Sequence, residues 1–137
     1  MRLDYAILAN SAEIREGLAF MLGGSWDTAY SIGLPTQFNG SVLLRILFHQ
    51  TEAASQHYLE LRVLDEDGQA IAPFAKIDLQ VKIPEDLPAG WDVPLLAAAN
   101  LRGLPIQKYG RYSFELLVDG MHVKSLPFRF LQGPPKA

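Results

Sequence analysis

The chain has 137 residues, a formal net charge of −3 and no cysteine, with 49% hydrophobic and 20% charged residues. This length and composition are typical of one globular domain that buries roughly two-thirds of the surface of its unfolded chain. The lack of cysteine excludes disulfides, thiolate metal sites and a cysteine nucleophile. It also favours a reducing compartment, so we predict a cytoplasmic protein.

Neither a membrane nor a nucleic acid is predicted as a partner. The opening segment, MRLDYAILAN, carries Asp4 close to a short apolar run, which argues against an export signal. No stretch approaches the roughly 18 consecutive apolar residues that span a bilayer. Lys and Arg are scattered singly, so there is no basic stripe for a nucleic acid backbone.

The first third of the chain is predicted to hold one helical turn and two strands. The segment NSAEIREG, residues 10–17, can form a helical turn that Ser11 caps, with Ile14 packing inward. Gly23 and Gly24 are predicted to form a turn or bulge between the strands. The apolar alternation that indicates these strands falls on Leu18, Phe20 and Leu22 before the glycines and on Trp26, Thr28, Tyr30 and Ile32 after them.

Period-two patterns continue through the middle of the chain. SVLLRILFH predicts a central strand covered on much of both faces, because Leu43 and Leu47 join Arg45 on its second side. YLELRVLDEDG predicts a strand that ends in a turn at Gly68. KIDLQVKI predicts a strand with one wet face, whose apolar side chains are Ile77, Leu79, Val81 and Ile83.

Residues 91–106 are ambiguous between helix and strand. LLAAAN has helix propensity, but Pro94 and the odd-numbered apolar residues fit an irregular strand, which we predict.

The last third predicts a hairpin closed by Asp119 and Gly120, a dipeptide that suits the positive φ angles of a type I′ turn. The second strand changes phase between Val123 and Leu126, which predicts a β-bulge near Ser125. Pro127 cannot donate to a ladder, so this strand is predicted to be an edge at least locally.

These elements predict an all-β, immunoglobulin-like antiparallel β-sandwich of about eight or nine strands with at most one short helix. Gly110, Tyr112 and Phe114 resemble the G-x-Y-x-C of a tyrosine corner, with Phe114 in the place of the cysteine. We expect residues 1–131 to form a single domain and residues 132–137, with the sequence QGPPKA, to form a flexible tail.

The segments LDYAILANSAEIREG, LGGSWDT and GRYSFELLVDGMHVKSLPFRF together resemble a family of small uncharacterised bacterial proteins. Members of that family open with a D-Y-A strand, continue into L-G-G-x-W-D and finish with a G-x-Y-x-F hairpin. The resemblance covers essentially the whole chain and is most specific over Leu22 to Asp27. It implies a bacterial single-domain β-sandwich and no particular chemistry.

Two interpretations of the segment GGSWDTAY are open. In the structural one, Trp26 fills the core or covers a sheet end, and Asp27 accepts backbone N–H groups in the turn. In the functional one, Trp26 is a stacking platform and Asp27 a polar anchor for a ligand or partner, with Tyr30 and Trp91 as further binding residues.

No catalytic residue, cofactor or metal is predicted. The serines lie outside any G-x-S-x-G pattern, and no phosphate-binding glycine loop is present. His49 and His57 could face each other across a loop and bind a metal, but two exposed histidines at strand ends is the simpler interpretation.

The leading hypothesis is a non-enzymatic protein-interaction or assembly module that binds a protein partner through an edge strand or an exposed apolar patch, with self-association possible. Leu43, Leu47 and Leu117 lie on the outward phase of their strands and motivate it. The alternative is a small-ligand or carbohydrate-binding module that uses Trp26 and Trp91.

Overall fold

The computed structural model describes residues 1–71 and 75–134, which form two packed β-sheets. The described elements are β1 Arg2–Arg15, β2 Leu18–Gly24, β3 Thr28–Ser31, β4 Thr36–Phe48, α1 Gln50–Ala53, β5 His57–Asp65, β6 Ala75–Leu79, β7 Val93–Ile106, β8 Gly110–Val118 and β9 Met121–Gln132. One sheet has the order β2-β1-β4-β7 and the other β3-β9-β8-β5-β6. The predicted all-β sandwich with one short helix is confirmed. No helix among the described residues is long and apolar enough to cross a membrane.

The strand order is that of an immunoglobulin-like sandwich. Strands β1, β4 and β7 are neighbours like A, B and E, and β5, β8 and β9 are neighbours like C, F and G. The Tyr112 hydroxyl, in β8, donates to the Lys108 carbonyl oxygen at 2.5 Å, which is the bond of a tyrosine corner. Phe114 is buried in the place of the cysteine, so the predicted motif is confirmed.

The core lies between the sheets and is built on β4 and on an aromatic cluster. Strand β4 is central, and the segment SVLLRILFH is buried on most of both faces, as predicted. The Phe128 ring stacks on Phe114 at a centroid distance of 4.8 Å and on Tyr112 at 5.4 Å, and Phe38 packs beside them. The contact of Phe38, in β4, with Phe128, in β9, joins the two sheets.

The hairpin of β8 and β9 follows the prediction closely. Asp119 and Gly120 have φ angles of 52° and 80°, as a type I′ turn requires. The register shifts between Leu116 and Leu117, and Val123 has no pairing partner on β8. The bulge therefore lies at Val123, two residues before the predicted position near Ser125. Strand β3 pairs with β9 only from Arg129 onward, so Pro127 lies on an unpaired edge.

The predicted helical turn over residues 10–17 is wrong. Strand β1 continues to Arg15, and Glu16 and Gly17, with φ angles of 53° and 75°, turn the chain directly into β2. Ile14 is therefore partly exposed and does not pack inward. A hairpin satisfies backbone groups along the whole segment, whereas a single helical turn costs nucleation entropy for few hydrogen bonds.

Other boundaries also differ from the expectations. The strand predicted over KIDLQVKI ends at Leu79, because Leu79 pairs with His57, where β5 begins, and residues 80–92 have no ladder partner among the described residues. The predicted turn lies after the glycines rather than at them, because both belong to β2 and Gly24 pairs with Ala9. The strand predicted to carry Trp26, Thr28, Tyr30 and Ile32 is only Thr28–Ser31, so Trp26 and Ile32 lie outside it. Segment 91–106 is a strand from Val93. Of the predicted tail, Gln132 belongs to β9, and residues 135–137 lie outside the described residues.

Candidate functional site

The first candidate site is a two-stranded arm formed by residues 10–24 of β1 and β2. Strand β4 pairs with β1 only from Arg2 to Ala9, whereas β2 pairs with β1 from Ala9 to Arg15. Beyond Ala9, β2 is therefore the only strand paired with β1 among the described residues. The arm leaves the main sheet as a ribbon closed by Glu16 and Gly17.

The arm exposes large apolar side chains. Leu18, Phe20 and Leu22 share one face and are 60%, 49% and 73% exposed. Arg15, Glu13 and Ser11 lie opposite them on β1, in that order. Ile14 and Met21, on the other face, are also exposed. Contiguous exposed apolar surface of this kind marks interaction sites in soluble proteins.

The apolar surface predicted from β4 and β8 lies elsewhere. Leu43 is buried, and Leu47 and Leu117 are partly buried, so they do not form the exposed patch that motivated the interaction hypothesis. On the second face of β4, Leu43 lies between its cross-strand neighbours Ile7 of β1 and Ala98 of β7 and is buried. The exposed patch was missed because the arm was interpreted as a helical turn. The dipeptide Glu16-Gly17 between two alternating segments was the signal that could have revealed it.

Trp26 packs against the core at one end of the sandwich. Its ring lies edge-on to Phe38, at a centroid distance of 5.5 Å, and to Phe128, at 6.3 Å. The indole Nε1 is buried and has no hydrogen-bond partner among the described residues. One edge of Trp26 lines a shallow cleft of about 210 Å³ between β1 and β9.

Asp27 is exposed beside Trp26 and makes different bonds from those predicted. Its carboxylate accepts the Thr28 hydroxyl at 2.9 Å, and its backbone carbonyl accepts the Arg129 N–H at 2.9 Å. The expected backbone N–H donors to the Asp27 carboxylate are replaced by a side-chain hydroxyl. Asp27 therefore helps to join β3 to β9.

Tyr30 lies toward the same end of the sandwich as Trp26, whereas Trp91 lies at the other end of β4. Tyr30, in β3, lines an open cavity of about 350 Å³ with Ile32 and Phe130. Trp91 is 64% exposed just before β7, near the end of β4 that holds Phe48. Trp26 lies against Phe38, and the β4 residues from Phe38 to Phe48 span roughly 30 Å at the rise of a strand. The two tryptophans do not form one binding surface.

His57 is buried, which corrects the interpretation of exposed histidines. Its Nδ1 faces the Asp119 carboxylate and its Nε2 the Glu52 carbonyl oxygen, both at 2.6 Å. Burial opposes the charge, but these two acceptors outweigh it, and the pKa of His57 is raised above its ordinary value. Both ring nitrogens are thus used within the fold. No group of three metal-binding side chains occurs among residues 1–71 and 75–134.

A second polar cluster lies on the outer face of β8 and β9. The Glu115 carboxylate accepts the Ser125 hydroxyl and faces His122 Nε2, both at 2.5 Å, and also accepts the Ser113 hydroxyl. Burial favours the neutral acid, but these bonds lower the pKa of Glu115. Ser125 and Glu115 both contact Nε2 of His122, whereas in a catalytic triad the serine contacts one ring nitrogen of the histidine and the carboxylate contacts the other. The arrangement stabilises the hairpin surface.

Comparison with known proteins gives one match. No curated protein and no solved structure matches the chain significantly. The model of a family of unknown function, DUF6941, matches residues 4–131, a range that overlaps every described strand and includes the arm. The chain therefore belongs to this family of unknown function, DUF6941.

Proposed function

We propose that the chain is a non-enzymatic cytoplasmic β-sandwich protein that acts as a protein-interaction or assembly module, with the arm as its binding element. The observation that carries this proposal is the exposure of Leu18, Phe20 and Leu22 on one face of the arm. Side chains of this size give little stability to the fold when they face water, and they bind strongly when a partner covers them.

The position of the arm also supports this function. In the part of the chain that the structure describes, β2 pairs with β1 alone, so a partner can reach the outer edge of β2 and the face of Leu18, Phe20 and Leu22 without displacing the core. Arg15 and Glu13 lie across from the apolar residues and supply a polar rim. An apolar centre with a polar rim is the usual composition of a protein interface.

The test is photo-crosslinking in cells of the native host. A photoreactive amino acid replaces Leu22, and the products are separated by mass. We expect a covalent product heavier than the single chain, because a bound partner would lie within reach of this side chain.

The control places the same amino acid at Ile32, which is 79% exposed in a loop outside the arm. We expect no defined heavier product from this position. Equal labelling at Ile32 and Leu22, or no product from Leu22, would show that the arm is not a binding element.

A further inference from the structure

The four outer strands of the two sheets differ in how their free edges are protected. Natural sheets prevent edge-to-edge pairing with prolines, charged side chains and short strands. Strand β7 carries Pro94 and Pro105, β6 has five residues including Lys76 and Asp78, and β3 has only four residues. Strand β2, with the sequence LAFMLGG, carries no charge and no proline over seven residues.

From this contrast we infer that β2 pairs antiparallel with β2 of a second copy of the chain, about a two-fold axis. The inference rests on the proposed function and names the partner of the arm. The free edge of β1 beyond Ala9 carries Glu13 and Arg15, and that of β9 before Arg129 carries Lys124 and Pro127. Among the described strands β2 therefore has the unprotected edge, and the edge that fits it best on a second copy is another β2. The same edge on both copies gives a closed, isologous interface.

Hairpin geometry gives the register. In a hairpin with a two-residue turn, the residues that flank the turn, Arg15 and Leu18, bond to each other. The backbone N–H groups of Ala19 and Met21 then point away from β1, toward the free edge. A two-fold axis at Met21 joins the Met21 residues of both copies in a hydrogen-bonded pair.

The side chains fit this register. Phe20 of each copy lies beside Leu22 of the other, which gives two aromatic–aliphatic cross-strand pairs on one face. No like charges meet within the paired strands, because β2 is uncharged and Glu13 and Arg15 lie on β1, one strand further away. Pairing of β2 with itself therefore places no charged side chains opposite each other.

The size of the surface indicates a reversible dimer. The exposed parts of Leu18, Phe20, Met21 and Leu22 amount to on the order of 400 Å² of apolar surface per chain, as large as functional patches on monomers. Edge pairing buries the two backbone edges and only the flanks of these side chains, so the interface is smaller than the roughly 1,000 Å² of a specific, stable complex. We expect dimerisation that depends on concentration.

Because the chain has no cysteine, a single introduced cysteine tests the register directly. In a hydrogen-bonded antiparallel pair the Cα atoms are about 5.5 Å apart, which suits a disulfide. We expect Met21→Cys to form a disulfide-linked dimer on mild oxidation. In the proposed register Leu18 lies opposite Gly24 of the other copy, so the matched variant Leu18→Cys should stay unlinked.

Sedimentation velocity on variants without cysteine provides the second measurement. We expect the natural chain to shift from monomer toward dimer over roughly 1 to 300 µM, the range suited to a small interface. Phe20→Lys should abolish the shift, since it places like charges near the two-fold axis, and Ile32→Ser should retain it. Circular dichroism would show that each variant keeps its β structure.

A monomer at all concentrations, or equal linking of Leu18→Cys and Met21→Cys, would overturn the inference. If the chain stays monomeric while the Leu22 crosslinker captures a different protein, self-pairing is wrong and the proposed function holds. If the chain is monomeric and Leu22 gives no crosslink, both proposals fail.

Discussion

The hairpins β1–β2 and β8–β9 are closed by turns of the same kind but have opposite surroundings. Glu16-Gly17 and Asp119-Gly120 both take two positive φ angles. The apolar face of β8–β9 packs against the other sheet, whereas the arm presents its apolar face to solvent. The comparison shows that turn residues determine where a hairpin forms, and long-range packing determines whether its apolar face becomes core or surface.

The largest expected difference between the hairpins is in the loss of stability when one phenylalanine of each, Phe128 or Phe20, is replaced by alanine. Phe128, in β9, is buried among aromatic rings, so Phe128→Ala should leave a cavity and lower the free energy of unfolding by about 3 to 5 kcal/mol. Phe20→Ala should lower it by less than about 1 kcal/mol, because Phe20 is half exposed. Urea unfolding measures both. Similar losses would mean that the arm packs on the fold in solution.

Trp26 extends the core beyond the β8–β9 hairpin, and Trp91 does not. Trp26→Ala should cost about 2 to 4 kcal/mol, since the ring packs on Phe38 and Phe128 and is only partly exposed. Trp91→Ala should change stability by less than about 1 kcal/mol. Thermal unfolding of the two variants gives the comparison, and a neutral Trp26→Ala would favour the stacking-platform interpretation.

The two turn glycines form the next pair. Gly120→Val should cost about 1 to 3 kcal/mol of global stability, because a β-branched residue resists a φ of 80° and the flanking strands belong to the core. Gly17→Val meets the same backbone strain at 75°, but it should loosen only the arm. Hydrogen exchange separates the outcomes. Global destabilisation by Gly17→Val would show that the arm folds together with the sandwich.

A pH dependence is expected at the β8–β9 end and not in the arm, which holds no histidine. The folded-state pKa of His57 is raised, so its stabilising contribution is fully present below about pH 6.5 and is lost as pH rises through the folded pKa. The groups facing the ring are the Asp119 carboxylate and the Glu52 carbonyl. Melting temperatures from pH 6 to pH 9 should fall more in the natural chain than in His57→Gln. If the melting temperatures of both proteins fall equally over this range, the pH dependence of stability comes from groups other than His57.

The smallest expected effect is on stability in the arm itself. Leu22→Ser and the control Ile32→Ser both alter exposed side chains, and each should change the free energy of unfolding by no more than about 0.5 kcal/mol. A loss above 1 kcal/mol for Leu22→Ser alone would show that Leu22 serves the fold rather than a partner.

Features coded by local chemistry were predictable from the sequence. The Asp119-Gly120 turn needs only residues that accept positive φ angles, and the tyrosine corner needs only Tyr112 and the backbone four residues earlier. The central position of β4 followed from its nearly continuous apolar run.

Features that depend on a distant partner were not predictable. The end of β6 at Leu79 is set by the beginning of β5, and the exposure of Phe20 is set by the end of the β1–β4 ladder at Ala9. The burial of His57 depends on Asp119, 62 residues away. An apolar alternation predicts a strand, but it does not say which surface will cover that strand.

The parallel pairing of β3 with β9 has a consequence for the folding of the chain during synthesis. Thr28 lies beside Arg129, 101 residues later in the chain, and Ser31 lies beside Gln132, so β3 finds its neighbour only when β9 has been synthesised. Contacts of such long sequence separation slow folding, because loop closure must precede them. Until β9 arrives, β3 has no strand partner in its sheet and the inner face of β8 lacks Phe128. During synthesis the sandwich therefore cannot be completed strand by strand, because β3 waits for β9.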